Sequence, residues 1–493
     1  MHVTETTNEQ FNSRSSLSQS NNSISAERTA QKRPNILLIV SDDHGVDMLG
    51  CYGNPVVRTP NLDALAADGT RFTNAFCASP TCSPSRSAIL TGLQSHHNGM
   101  YGLQHDTHNF QSFDSVQSLP KLLAKADYRT ARIGKYHLAP ESVYKFQNVF
   151  SDGTANDPES IGRSVYEMAE QTREFVAAPD ENPFFLYFAP DDPHRSNTYY
   201  PDGSPSFQSY PDPNPFGNRT EGYPNIKEVT YDPEEVIVPD FLPDTPSSRA
   251  ELAEYYQSIS RLDQGIGRLI EILKETGQYE NTLIIYTTDH GPPFPGAKTT
   301  LYEPGIHIPC IVRSPNRKNP GSIQTSMISG VDTTPTLLDA AGVLDDTFQF
   351  DGQSYLPGVD GSSYDDQNEI YASHSMHEIT MYYPIRMVRT KKFKLIHNLS
   401  TEQSFPLALD LWQSPTWISS QKNGSSIYGK RTIEAYMRRP EYELYDLSVD
   451  PDELVNLVQS DEHQSVFEEL HDKLITHRVS SSDPWLEKSE QYD

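Results

Sequence analysis

The sequence predicts an α/β protein with a large, mixed but mostly parallel sheet flanked by helices, and a smaller α+β region at its C-terminal end. Continuous apolar runs alternate with amphipathic helices, as is typical of a sheet whose parallel strands are buried on both faces. Polar residues follow several of these runs directly, where ligands bind in such sheets. Near the C-terminal end, several short strands are predicted without long helices between them.

The strands and helices of the large sheet are predicted from hydrophobic patterns. Apolar residues mark strands at 35–40, 70–76, 128–134, 184–189 and 282–287. A helix is predicted to begin at Thr59-Pro60. A longer helix lies between the cap Thr245-Pro246 and Gly277, because its apolar residues keep three-to-four spacing.

The chain is predicted to have three parts. Residues 1–33 are rich in Ser, Asn, Gln and Thr, which predicts a disordered tail. A cluster of Pro, Gly, Asp and Ser near 358–368 separates a large domain (34–362) from a small domain (363–493). The small domain is predicted to contain an antiparallel sheet from strands at 370–375, 385–389, 393–397 and 443–447, and a final helix at 463–478.

Composition excludes several classes of partner. The formal net charge is −28, from 67 acidic and 39 basic residues, which argues against nonspecific binding to nucleic acid or to anionic membranes. No apolar run approaches the length of a membrane span. The first 33 residues contain no apolar segment, so no secretory signal is predicted. Four cysteines without C-x-x-C spacing do not make a disulfide framework.

Polar residues at four strand ends predict one shared site. Carboxyl ends of parallel strands meet at one edge of a sheet, so side chains that follow them should lie together. Adjacent aspartates are usually a solvated turn, and single histidines are usually structural, but their position after buried strands favours function here. Three carboxylates and one neutral ligand suit Ca²⁺ or Mg²⁺. That predicted ligand set is Asp42, Asp43, Asp289 and His290, and the neighbouring residues are Lys135, His137 and His194.

One further stretch, from Cys82 to Gly92, is predicted to run from a loop into a helix. Pro84 suits the first helical turn and Gly92 suits the end. Cys82 is therefore expected just ahead of a helix N-terminus, which favours negative charge, and Arg86 can reach back to the same point. A lone cysteine beside an arginine would usually be a buried structural residue.

The complete pattern Cys-x-Pro-Ser-Arg followed by x-x-x-Leu-Thr-Gly resembles the signature of the type I sulfatases. The resemblance implies the alkaline-phosphatase-like sulfatase fold. It also implies that a separate maturation enzyme oxidises Cys82 to formylglycine (3-oxoalanine), whose hydrate is the nucleophile. It implies Ca²⁺ bound by Asp42, Asp43, Asp289 and His290 together with residue 82. Arg86, Lys135 and Lys298 would form a positive clamp on the sulfate, and His137 and His194 an acid–base pair.

The resemblance extends from about residue 34 to 485 and is strongest to the sulfamidase branch of that family. It is carried by segments such as Gly134-Lys135-Tyr136-His137, Asp192-Pro193-His194-Arg195 and His377-Glu378-Ile379-Thr380-Met381. This implies hydrolysis of the N-sulfate of terminal N-sulfoglucosamine in heparan sulfate or heparin fragments, with Arg195, His377 and Glu378 contacting the sugar. His290 and Lys298 depart from that branch, in which Asn and Arg are expected. Lys298 keeps the positive charge of arginine but cannot make the two parallel hydrogen bonds of a guanidinium group.

Three alternatives stay open at this stage. The chain could be an O-sulfatase acting on another sulfated glycan, or a phosphodiester or phosphonate monoester hydrolase of the same superfamily. It could also be a sulfated-glycan binder that is never matured, although a binder has no need of a nucleophile. Whether the chain forms a homodimer cannot be read from the sequence.

Overall fold

An eight-stranded sheet forms the centre of the chain. The computed structural model describes residues 33–486, apart from 106, 155–156, 158, 197, 200–204, 207–213 and 362–366. The strands are β1 (Asn35–Ser41), β2 (Thr70–Phe76), β3 (Arg129–Lys135), β4 (Asn148–Gly153), β5 (Phe184–Ala189), β6 (Thr282–Thr288), β7 (His307–Arg313) and β8 (Ser322–Ser329). Their order is β8-β2-β7-β6-β1-β5-β3-β4. Neighbours are parallel except that β7 runs antiparallel to β2 and β6, which confirms a mixed, mostly parallel sheet.

Helices cover both faces of this sheet. They are α1 (Pro60–Asp68), α2 (Cys82–Thr91), α3 (Leu119–Lys125), α4 (Val165–Ala177), α5 (Pro246–Glu275) and α6 (Thr333–Ala340). Apolar residues of α1, α4 and the second half of α5 pack on one face, and those of α2, α3 and α6 on the other. Thr245 caps α5, since its side chain accepts the N–H of Ser248.

A four-stranded antiparallel sheet lies in the C-terminal part, as predicted. Its strands, in spatial order, are β9 (Glu369–Met376), β10 (Tyr382–Thr390), β11 (Phe393–Asn398) and β12 (Tyr442–Asp446). Helix α7 (Pro415–Lys422) precedes β12, and α8 (Gln464–Ser480) follows it. Leu470 and Leu474 of α8 pack on one face of the sheet, while residues of the other face join the core of the large sheet.

Shorter elements connect these layers. Single turns of helix are Gly50–Tyr52, Ser95–Asn98, Ile161–Arg163, Tyr279–Asn281, Glu303–Ile306, Gly330–Asp332, Leu356–Val359, Leu409–Trp412, Ile433–Met437 and Asp461–His463. Two-residue strands are Thr198–Tyr199, Pro205–Ser206, Ile427–Tyr428 and Arg431–Thr432. None of the helices in the described ranges is both long and apolar enough to span a bilayer. Residues 1–32 of the predicted tail and the predicted boundary after residue 362 lie outside the described residues, so both stay predictions.

Candidate active site

Strands β1 and β6 bring the predicted acidic residues together. They are adjacent and parallel, with Ser41 paired to Thr288 at their ends. Asp42 and Asp43 therefore emerge beside Asp289. The backbone N–H of Asp43 donates to Asp289 Oδ1 over 3.0 Å. All of these carboxylates are fully buried.

Cys82 lies against these strand ends at the start of α2. The helix begins at Cys82 itself, so the residue is the first of the helix and not just ahead of it, a small correction to the prediction. Its Sγ is 3.5 Å from Nε2 of His290. Burial raises the pKa of the Cys82 thiol well above its usual range. None of the four cysteines forms a disulfide.

The donor atoms of four residues lie close enough together to hold a metal ion. One ligand atom from each of Asp43, Cys82, Asp289 and His290 lies within 4.8 Å of the others. Asp43 Oδ1 is buried and accepts no hydrogen bond. Burial raises the pKa of Asp43 to about 6, even though Lys298 and His290 act in the opposite direction. Oδ1 also lies 3.1 Å from Nε2 of His290, and a divalent cation bound between them would favour the ionised carboxylate.

Asp42 has different neighbours from the other three predicted ligands. Lys135 Nζ donates to both of its carboxylate oxygens, over 2.8 and 2.6 Å, and Arg86 contacts Oδ1 at 3.2 Å. Burial opposes its charge, but Lys135, His194 and Arg86 hold the pKa of Asp42 well below its usual range. Asp42 is thus ionised and bound to two cations.

Arg86 reaches back from α2 to both strand ends. It donates from Nε to Asp289 Oδ2 over 3.1 Å and from a terminal nitrogen to the Ser41 carbonyl over 3.3 Å. The other terminal nitrogen donates to the hydroxyl of Tyr187 on β5. The guanidinium is fully buried, so its position is fixed by these acceptors.

Lys298 and His194 form a hydrogen-bonded pair beside Asp43. Lys298 Nζ lies 2.9 Å from Asp43 Oδ2 and 3.0 Å from His194 Nε2. A further carboxylate, Asp410 Oδ2, accepts from the same ammonium at 3.0 Å. The three N–H groups of Lys298 are therefore matched by three protein acceptors.

His137 follows β3 and is held in a left-handed backbone conformation, with φ of 56°. Its Nε2 lies 2.5 Å from Nδ1 of His105, and the two rings stack. Its Nδ1 is buried and has no hydrogen-bond partner. Burial lowers the pKa of His137 well below its usual range, and Lys135 and His105 add to this effect. His137 is therefore neutral, with one ring nitrogen unpaired.

The three predicted sugar contacts occupy different places. His377 is buried and its Nδ1 is hydrogen-bonded to Thr81 Oγ1, beside Cys82. Glu378 is half-buried, and burial together with Asp410 raises its pKa. Arg195 is buried, donates to the Pro293 carbonyl and Glu251, and lies against the rings of Phe216 and Phe294. Its Nη2 is buried without a hydrogen-bond partner, and the sugar contact of Arg195 stays a prediction.

Sequence reasoning missed two polar residues at the site. Asp410 lies on the turn Leu409–Trp412, and His105 lies in a loop of irregular structure. Neither follows a predicted strand or belongs to a recognisable motif, so the sequence carries no local signal for them. Only the packing of distant segments brings them to Lys298 and His137.

Two family models match the chain. The sulfatase model matches residues 34–343, and the model described as N-sulphoglucosamine sulphohydrolase, C-terminal, matches residues 296–432. The first covers the large sheet and the residues at its strand ends. The second includes β9 to β11 and the segment that carries Asp410.

Similar curated proteins are sulfatases. The chain is 38% identical to human N-sulphoglucosamine sulphohydrolase, over 92% of this chain and 91% of that protein. It is 28% identical to an N-acetylglucosamine-6-O-sulfatase of Bacteroides thetaiotaomicron, over 82% of this chain and 84% of that protein.

Solved structures share the fold at lower identity. One, a complex with its substrate D-glucosamine-2-N,6-O-disulfate, has a TM-score of 0.65 at 23% identity and covers 92% of this chain and 99% of that one. The phosphonate monoester hydrolase of Agrobacterium radiobacter has a TM-score of 0.64 at 19% identity, covering 91% and 96%. Taken with the family models and the human relative, this likeness shows that the chain belongs to the sulfatase family, with a C-terminal region of the N-sulphoglucosamine sulphohydrolase type.

Proposed function

We propose that this protein hydrolyses the N-sulfate of terminal N-sulfoglucosamine in heparan sulfate or heparin fragments. The observation that carries the substrate is the 38% identity to human N-sulphoglucosamine sulphohydrolase over 92% of the chain, together with the matching C-terminal model. The buried cluster around Cys82 supports sulfatase chemistry but does not by itself distinguish an N-sulfate from an O-sulfate.

The proposal includes two groups that complete the site. A maturation enzyme would convert Cys82 to formylglycine, and Asp43, Asp289 and His290 would hold Ca²⁺ beside it, with Asp42 at the edge of the ligand set. Formylglycine supplies the nucleophilic oxygen, and the cation supplies Lewis-acid polarisation of the sulfate.

The chain's own residues hold the sulfate and its charge. Arg86 and Lys135 place two buried cations on either side of Asp42, next to the start of α2. Because the site is buried, these charges act in a low-dielectric environment and stabilise the charge that develops on the sulfate oxygens. Lys298 has its donors committed to protein acceptors, so we assign it to orienting Asp43 and His194 and not to direct contact with the sulfate.

We assign proton transfer to His137 and His194. The unpaired Nδ1 of neutral His137 is a suitable acceptor for a proton from the nucleophile. When the sulfur–nitrogen bond breaks, its electron pair stays on the amine nitrogen, which must take up a proton. We assign that proton to Lys298, which would pass it to His194 Nε2 along their hydrogen bond, and His194 would pass it on to the nitrogen once its ring turns away from Lys298.

Sulfate release from a disaccharide with non-reducing-end N-sulfoglucosamine tests this function. Mass spectrometry of the Cys82 peptide first establishes whether formylglycine is present. We expect release from this substrate and none from a 6-O-sulfated, N-acetylated analogue. The Cys82→Ala variant should fold and be inactive. An active enzyme that cleaves only the O-sulfate, or only a phosphonate monoester, would contradict the proposed substrate.

Removal of the cation tests the metal site. We expect exhaustive chelation to abolish sulfate release, because the sulfate would no longer be polarised by a Lewis acid, and added Ca²⁺ to restore it. Mg²⁺ should restore less, since it demands a more regular set of oxygen ligands. Activity that survives complete metal removal would contradict the site.

A further inference from the structure

Asp410 is a buried carboxylate to which neither the sequence motifs nor the chemistry above gives a task of its own. It lies on the turn Leu409–Trp412, in the C-terminal part of the chain, and is 7% exposed. Oδ2 accepts from Lys298 Nζ at 3.0 Å, and Oδ1 accepts the backbone N–H of Leu411 at 3.0 Å. Both oxygens are thus engaged, and the carboxylate is held in one orientation.

Asp410 completes the set of acceptors around Lys298. An ammonium group has three N–H donors, and here they meet Asp43 Oδ2, His194 Nε2 and Asp410 Oδ2 at 2.9–3.0 Å. The three acceptors come from three separate segments of the chain. Loss of any one would let Lys298 rotate towards the remaining two.

The same contacts fix the ring of His194. Its Nδ1 faces the carbonyl oxygen of Arg195, which can only accept, so Nδ1 carries the proton. Nε2 then has a lone pair and accepts from Lys298 Nζ. The orientation of His194 therefore depends on Lys298, whose position depends on Asp410.

We infer that Asp410 is a positioning residue for the Lys298–His194 pair, and through that pair for protonation of the leaving nitrogen. This inference rests on the proposed function for the identity of the leaving group. The competing explanation is that Asp410 only anchors the 405–412 segment to the large sheet. That explanation predicts a loss of stability without a specific effect on turnover.

The test uses Asp410→Ala, Asp410→Asn and a matched control. Asp446 is also 7% exposed and pairs with a lysine, Lys392, at 3.3 Å, but it lies on β12 outside the site, so Asp446→Ala is the control. In Asp410→Ala we expect kcat to fall about 10- to 100-fold while KM stays near the wild-type value. Asp410→Asn should recover part of kcat, because its amide oxygen can still accept from Lys298.

Two kinetic results would overturn the inference. One is an Asp410→Ala enzyme with wild-type kcat, and the other is a loss of kcat no larger than that of Asp446→Ala at equal thermal stability. A crystal structure of Asp410→Ala provides a readout that is independent of turnover: Lys298 Nζ should move off His194 Nε2, and an unchanged contact contradicts the role. A wild-type enzyme that releases no N-sulfate contradicts the proposed function, whereas the crystal structure still decides the role of Asp410.

Discussion

Arg86 shows how the charges of the site depend on single residues. Its buried guanidinium contacts Asp42 and Asp289, which follow neighbouring strands, and also Tyr187 on a third strand. A buried carboxylate that loses its partner retains the cost of desolvation without the compensating attraction. Arg86 is thus required both for folding and for holding negative charge at the site.

We predict that Arg86→Ala destabilises the protein by about 3–5 kcal/mol and abolishes sulfate release. Asp289 would lose its only ion-pair partner among the described residues, whereas Asp42 would still have Lys135. Urea unfolding and sulfate release measure the two effects. Arg86→Lys keeps the positive charge but not the planar guanidinium with its several N–H donors, so it should lose less stability than Arg86→Ala. An Arg86→Ala protein as stable as the wild type would contradict this prediction.

The residues at the site were predicted to different extents. Those that follow apolar strands could be located from the sequence, because the strand pattern and the rule for parallel sheets place them at one edge. Asp410 and His105 could not, because their positions depend on how loops far apart in the chain pack together. Arg195 was identified by its motif, but its position against the rings of Phe216 and Phe294 could not be predicted, because those residues are distant in the sequence.

Among the elements, β7 explains why strand prediction was incomplete. It lies between β2 and β6, yet it contains Pro309, which normally argues against a central strand. The proline is tolerated because the pairing of β2 with β7 is interrupted between Phe72 and Ala75. Strands β4 and β8 lie at the sheet edges, and β4 is largely exposed, so neither has the continuous apolar run that marks a buried strand.

Gly134 of β3 provides a prediction about the packing of neighbouring strands. Its φ is +84°, and a Cβ there would lie 2.1 Å from the carbonyl oxygen of Ala189 on β5. We predict that Gly134→Ala costs roughly 2–4 kcal/mol, because backbone strain and a clash add, and that it lowers activity by displacing Lys135.

Gly277, after α5, is the matched control for this substitution. Its φ is +70°, but a Cβ added there would meet no atom of the surrounding protein within 4 Å. Gly277→Ala should therefore cost only about 1 kcal/mol. Equal unfolding free energies for the two variants would show that the close approach of β3 to β5 is unimportant.

At the scale of the whole molecule, the C-terminal part is built into the site as well as attached to the large sheet. His377 and Asp410 reach Thr81 and Lys298, which lie in the part of the chain that forms the large sheet. The segment that follows α8 is held in turn by Asp483, which pairs with Arg386 of β10 and Arg478 of α8 at 2.8 Å each. These contacts link the small sheet, its covering helix and the segment that follows.

Asp483 predicts a pH dependence of stability. Burial opposes its charge, but Arg386 and Arg478 hold the pKa of Asp483 well below its usual range. A depressed folded-state pKa means that its stabilisation is present above the unfolded value of about 3.9 and is lost as pH falls below it. Asp483→Asn should therefore cost about 3 kcal/mol at pH 7 and progressively less below pH 4.

Unfolding by urea across this pH range measures the effect. Asp472→Asn on α8 is the control, because that side chain is 88% exposed and should contribute little at any pH. A cost for Asp483→Asn that stays constant down to pH 3 would show that its charge is not what matters.

The burial of Cys82 also sets an order of events in time. The thiol is 2% exposed, and the residue before it is hydrogen-bonded to His377, which the ribosome adds 296 residues later. If a maturation enzyme converts Cys82 as proposed, that enzyme can reach this sulfur only before the later part of the chain is made or has folded over it. A fully folded molecule with an unchanged cysteine would then have to unfold locally before it could be converted.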